Sequence, residues 1–578
     1  MTLFARRALS LLTAVALIAG LFLGAPTSVR ATPQTYYVGH HDNDYAPGSE
    51  CADPDYWTDG DWTGGGAYNS YNDAIQDAAD NAASGSIIYL CAGNYVFLEV
   101  VTIGAGKSLT FRGEGEETVL DGNDITRIFN ASPVNENDQG GVLSLRDLLI
   151  MDAQVTTWNA GAVVADGLSL NSVTITSSQG AYNGGALYAE GNVTIVDSTF
   201  TNNVALADGG ALYAWNGERT VSIRDSVFDG NLSGRSGGAI IAASATVTGS
   251  TFVNNDAQYG GGAIEVSTVT VLSSSFTGNT AQFGGAISAH TATITASSFT
   301  NNEVTYIGGA IRADADTLTV TDSTFTDNSA ASEGGAIHAA AASITSSTFI
   351  SNSAGGFGGA MYAYTAEVAA STFNGNSGSF GGAMYSMLTA TVINSTFTGN
   401  AAAYGGAITG SGEVISSNFS ENSAVVIGGA IYSGSITISK SMFEGNEAFY
   451  GGAIHATTAS VNNSTFTSNS AEGSGGAILT IGGGAISRSH FTRNTAGTQG
   501  GAIFIYVPYG EDLRQLRGNS FMRNAAQTGG AITLGPCVTP SRSEAARVES
   551  ANRFSGNRAT EQRRTNNIER WGDGCKGG

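Results

Sequence analysis

The chain has 578 residues, 79 of them Gly and only 8 Pro, with a formal net charge of −23 and a hydrophobic share of 42%. Collagen is excluded because it needs a strict Gly-X-Y period with much Pro, and disorder is excluded because Val, Ile and Phe recur at fixed phase. Nucleic acid is a poor partner for so acidic a chain, although residues 511–578 reverse the trend with eleven Lys or Arg against seven Asp or Glu.

Residues 1–31 read as a signal peptide. Arg6 and Arg7 precede an apolar run, and Val29-Arg30-Ala31 offers a cleavage site. An uncleaved anchor is the alternative, at the short edge of a membrane span. Either way the chain is expected outside the cell or on its surface.

Residues 32–83 read as a Cys-containing loop followed by a capping helix. The loop holds His40, His41, Asp42, Asp44, Asp53, Asp55, Asp59 and Asp61. Calcium is the one cofactor this stretch suggests. Counting from Asp55, Gly60 fits the sixth position of a calcium loop, but Gly66 stands where a bidentate Glu is needed. The expectation is therefore no cofactor. Over 71–83 the stripe Ala74, Ile75, Ala78 and Ala79 predicts an amphipathic helix, with Ser70 as N-cap. Short strands follow at 86–90, 95–97, 100–103, 109–112 and 118–120.

Residues 84–535 are the repeat region. Gly-Gly-Ala-(Ile, Leu or Met) alternates with Phe-x-x-Asn, fifteen times each, between Gly184 and Asn557. The step is about 24 residues, within the range of solenoids. Copies include Phe397 with Asn400, Gly405-Gly406, Phe443 with Asn446, Gly451-Gly452 and Phe466 with Asn469. In Gly405–Ala424, strands are expected at 407–409, 414–416 and 418–420, with a turn at 421–423. Stacked at about 4.8 Å, like residues lie over like, giving roughly 70 Å of rod. Phe then fills the core, Asn forms an amide ladder, and Gly-Gly permits the sharp bend. Residues 536–578 are read as a C-terminal cap.

Four Cys flank the array. An even number beyond an export signal favours disulfides. Their placement suggests Cys51 with Cys91 and Cys537 with Cys575, although three connectivities are open.

The run Ile88–Tyr95 behind a short helix resembles the opening of pectin-lyase-like right-handed parallel β-helix proteins, whose helix plugs the coil. The alternating GGA[ILM] and FxxN signatures closely resemble the repeats of the chlamydial polymorphic outer membrane protein family. This resemblance implies an all-β right-handed parallel β-helix and an adhesin-like surface role. The family's C-terminal autotransporter barrel has no counterpart here, because too few residues follow the array.

The fold also hosts polysaccharide lyases and glycoside hydrolases. The Asn-Thr-Asp, Asp-Asp, Gly-His-Gly and Arg-Ile-Lys signatures of its hydrolases are absent. In the position after Gly-Gly-Ala-aliphatic, the charged residues Glu265 and Arg312 lie two coils apart, the one candidate catalytic pair. His338 and His455 are five coils apart, too far to share a metal. The same position holds Tyr362, Tyr385 and Tyr432, a candidate platform for a sugar or a partner surface. The competing reading is that these rings pack on one another. The sequence therefore points to a monomeric, non-catalytic binding and spacer rod for a surface glycan or protein, with a carbohydrate-active enzyme as the alternative.

Overall fold

The computed structural model describes residues 32–40, 49–52, 54–58, 71–104, 106–132, 141–215, 217, 219–506, 516–535, 542–561 and 567–570. The signal segment, Ser70, Gly60, Gly66 and the Cys537–Cys575 pairing lie outside these residues.

One coil contains the logic of the whole. After Gly451-Gly452, a long strand spans Ile454–Asn462, with Ile454, Ala456, Ala459 and Val461 buried. Asn463 then takes a left-handed conformation (φ 52°), and the chain bends into the short strand Thr465–Thr467. Ser468 repeats the device (φ 54°), leading to Ser470–Ala471 and back to the next Gly-Gly. Every ladder between coils is parallel, pairing Ile431 with Ile454, Phe443 with Phe466 and Ala448 with Ala471. The result is the all-β parallel solenoid the repeat implied.

The predicted Phe stack is present. Rings from Phe200 to Phe554 lie nearly parallel, with neighbouring centroids such as Phe443 and Phe466 4.8 Å apart. The Asn ladder is present too, and fully bonded. The Asn446 side-chain amide donates to Phe419 O at 3.0 Å and to Asn469 Oδ1 at 2.9 Å, while its backbone N–H donates to the same Oδ1 at 3.1 Å. A second ladder escaped the sequence reading. Two residues before the Phe stands a buried Ser from Ser198 to Ser489, replaced by Asn519 and Asn552 in the last two coils: Ser441 N–H donates to Ser464 Oγ at 3.2 Å, and Ser441 Oγ donates back to Ser439 O. Both bends thus follow one rule, a left-handed residue and then a side chain that bonds the neighbouring coil's backbone.

The two glycines have different tasks. Gly451 has φ 65°, a conformation costly for other residues. Gly452 has no such φ, but a Cβ there would sit 2.2 Å from Gly476 O of the next coil. The row starts one coil before the recognisable signature, at Ala160-Gly161-Ala162-Val163, where Ala160 takes φ 49°. One coil earlier Arg127 replaces the second Gly, and its guanidinium donates to the Ala160 and Asn159 carbonyls.

Both ends depart from the expected boundaries. Thr35–His40, read as loop, is a strand paired with Ile87–Leu90, so the solenoid begins well before residue 84. Helix α1, Tyr71–Asn81, buries Ala74, Ile75, Ala78 and Ala79 at this end, as the stripe predicted. The Cys51–Cys91 disulfide is formed, with Cα atoms 5.8 Å apart. At the other end the ladders run past residue 536 to Ile568–Arg570. An unpredicted helix α2, Arg542–Ala551, precedes the last Phe, and Asn552 caps it by donating to Val548 O. Its Ala, Glu and Arg content is that of a good helix former, but the repeat phase concealed it. Within the array, the expected turn after the Phe strand is present at Glu421, which takes φ 56°, but its last residue Ser423 opens an unpredicted strand, Ser423–Ile427, because a third strand per coil closes the ladder on that side.

Two substitutions separate these contributions. Gly452→Ala is expected to cost about 1–3 kcal/mol by overpacking against a backbone carbonyl. Asn446→Ala leaves the Asn422 backbone N–H and side-chain amide without their acceptor and should cost roughly 2–5 kcal/mol. Denaturant unfolding monitored by circular dichroism reads both.

Candidate ligand-binding face

The outward position after Gly-Gly-Ala-aliphatic forms a continuous column. Its register runs Glu265, Ser288, Arg312, His338, Tyr362, Tyr385. Toward the N-terminus it continues through Tyr213, Tyr188, Val164 and Asn130.

The predicted aromatic residues are brought together only in part. Tyr362 stacks on His338 at 4.8 Å and on Tyr385 at 5.4 Å. Tyr432 stands apart, tilted against Tyr404 and His455. A second column of Phe357, Phe380 and Tyr404 stacks beside the first, and Phe357 packs edge-on against Tyr385 at 4.8 Å. Tyr362 is 7% exposed, and Tyr385 and Tyr432 are half-buried. Burial, reinforced by Glu333 nearby, pushes the Tyr362 hydroxyl up to about 12. These rings chiefly cover one another.

Next to them lies a polar cluster. Arg312 is paired with Asp314 and lies over the Phe283 ring at 4.8 Å. The two His338 ring nitrogens face Asp314 and Glu333 carboxylates, each at 3.1 Å. Burial would raise Asp314, but its bonds to His338 and Arg312 outweigh this and hold it low. Glu265 behaves oppositely. Its Oε2 is buried without a hydrogen bond, beneath Gly260, where a Cβ would lie 2.4 Å away. Burial pushes Glu265 up to about 7, against the pull of Ser288 and Arg312. His455 is isolated, and burial takes it down to about 4.

Among the described residues, one group has Cys, His, Asp or Glu atoms close enough for a metal: Cys51, Cys91 and Glu114. Its sulfurs are already joined in the disulfide. Asp55 accepts from the Tyr37 backbone N–H at 2.8 Å.

A cleft of about 540 Å3 opens where the column passes the first coils. Asn130, Val164 and Tyr188 line it along the column, and Ile125, Trp158 and Glu190 border it. Trp158 is 70% exposed and Ile125 60%. Burial lowers the Arg127 guanidinium at the cleft to about 10. The sequence reading missed this site. The available signal was Trp158 within the turn Thr156–Asn159, an aromatic position that the next coil repeats with the exposed Tyr182.

Residues 197–214, 273–290, 322–340 and 416–434 match the Chlamydia polymorphic membrane protein (Chlamydia_PMP) repeat. Four segments of the array are therefore similar to polymorphic membrane protein repeats. Each matched segment runs from a Phe-x-x-Asn to the following Gly-Gly-Ala, so the matched unit comprises one Phe, one rung of the Asn ladder and one bend. A comparison with curated protein sequences gives no match. Among solved structures, the chain is similar to PfbA, a surface adhesin of Streptococcus pneumoniae, at 13% identity and TM-score 0.30, covering 72% of this chain and 87% of that one. It is also similar to the catalytic unit of a GH87 alpha-1,3-glucanase from Streptomyces thermodiastaticus, at 15% identity and TM-score 0.27, covering 72% and 66%. A PL6 family alginate lyase aligns at 10% identity and TM-score 0.21, covering 83% and 99%.

Within the repeat array Glu265 gives a pH signature. Its folded-state value lies above that of the unfolded chain, so its contribution is fully present in acid and is lost as pH rises through about 7. Glu265→Gln should therefore gain roughly 2–3 kcal/mol on wild type at pH ~8 and almost nothing at pH ~4. Urea unfolding at the two pH values checks it.

Proposed function

We propose that the protein is a non-catalytic, surface-displayed binding rod, with repeats that hold a ligand site away from the surface that bears it. The carrying observation is the separation of cleft from acids. The cleft lies on the first coils and is bordered by one carboxylate, Glu190. Glu265, Asp314 and Glu333 gather farther along the column, where residues 238–476 keep the repeat length nearly constant. A glycosidase needs two carboxylates roughly 5–9.5 Å apart across a substrate groove. A partly apolar cleft bordered by an exposed Trp, with an amide and a carboxylate at hand, suits the face of a sugar ring and its hydroxyls. A surface glycan is thus the favoured ligand, with an exposed protein loop second.

The test is a glycan array probed with the purified chain, followed by titration of the best ligand. Trp158→Ala should weaken binding at least about tenfold while leaving the melting temperature unchanged. Absence of any glycan or cell-surface binding above background would sink the reading. So would turnover in a glycan depolymerisation screen that Glu265→Ala abolishes, since that result favours the enzyme.

A further inference from the structure

The bends flanking the Phe strand need a left-handed residue, and most coils supply Asn, Asp, Ser or Gly. These residues tolerate that conformation best. Ala296, Ala370, Glu421 and Lys440 depart from this singly along the array, and the final coils depart repeatedly and always with Arg: Arg488 (φ 51°), Arg493 (φ 57°) and Arg523 (φ 54°). Arg488 N–H donates to Arg517 O, and Arg493 and Arg523 lie on consecutive coils. Arg553 follows Ser520 and His490 in register, and Arg558 follows Ala525 and Thr495. All six Arg are exposed, and none has an ion-pair partner among the described residues. Three successive coils thus present six guanidinium groups, Arg488, Arg493, Arg523 and Arg553 on the Phe strand or its flanking bends and Arg517 and Arg558 on the strands to either side, on a chain of net charge −23. Like charges so placed repel, and Arg offers the left-handed bends no local advantage. A local rule broken without a packing gain points to a function.

We propose that this Phe-strand face of the last three coils is a binding site for a linear acidic polysaccharide. Guanidinium groups bind sulfate, phosphate and carboxylate oxygens as forks, and coils about 4.8 Å apart repeat the charge along the rod. The outward neighbours Ser487, Thr492, Ser520 and Ser555 supply hydroxyls for sugar oxygens. Among the described residues the face carries no exposed Phe, Tyr or Trp ring to stack nucleobases, its one exposed ring being His490, and Met522 is its one exposed large apolar side chain, too little for membrane insertion. The acidic charge elsewhere confines polyanions to this end. The site is separate from the Trp158 cleft and does not depend on it.

The experiment immobilises a sulfated glycan (heparin), a polyuronate (alginate) and neutral dextran, and measures binding of the full chain in low and high salt. Binding to heparin or alginate that weakens steeply with salt is expected, with none to dextran. The triple variant Arg493→Asn, Arg523→Asn, Arg553→Ser should lose at least about tenfold in affinity, while its melting temperature holds or rises because Asn suits the bends. Trp158→Ala should leave this binding unchanged. The proposal is overturned by absence of binding to both acidic polymers in low salt, or by affinity that survives the triple substitution. It is equally overturned by affinity that falls only together with the melting temperature, or by tighter binding to single-stranded DNA or anionic vesicles.

Discussion

Everything in this molecule rests on in-register stacking at the spacing of a parallel β ladder. When each coil lies about 4.8 Å above the last, every residue meets its own counterpart. A Phe then finds a Phe at stacking distance, an Asn finds an Asn at hydrogen-bonding distance, and a Gly finds a Gly whose carbonyl is already too close for any Cβ. The Gly452 row shows the constraint at its strictest, since its spacing to the next carbonyl leaves no room for a methyl group. The Asn446 ladder shows the complementary gain, because one side chain satisfies polar groups in the coils on both sides.

The same stacking separates what must be constant from what can vary. Inward positions are fixed by the neighbours above and below. Outward positions meet their counterparts and the side chains beside them but not the core, so the column can change from Tyr188 and Tyr213 through Glu265 and Arg312 to Tyr362 and Tyr385 without disturbing it. Some of these changes carry an electrostatic penalty that the fold absorbs. Glu265 is held largely out of water with one oxygen unbonded, and the effect of burial on Asp314 is outweighed by the bonds from His338 and Arg312. The two proposed binding sites lie where the pattern weakens, near Arg127 at the start of the glycine row and along the Arg-bearing bends at its end.

The sequence by itself determined the solenoid, its step, the Phe core, the Asn ladder and the capping helix, because each is a periodic or local property. The Ser ladder was equally periodic and equally legible, two residues before every Phe from Phe200 to Phe491. Also within reach were the Cys51–Cys91 pairing, from end placement, and α2, from its composition. Only the tertiary structure decided the rest. It turned Thr35–His40 into a first coil, because pairing with Ile87–Leu90 is a long-range event without a local signature. It buried Tyr362 beneath neighbouring rings, since exposure depends on the second column beside it. It made the Trp158 cleft, because Asn130, Trp158 and Tyr188 meet there from three different coils. A repeat fixes what lies directly above and below each residue. What lies beside it is set by how the loops fold over the face, and that is where the candidate sites are.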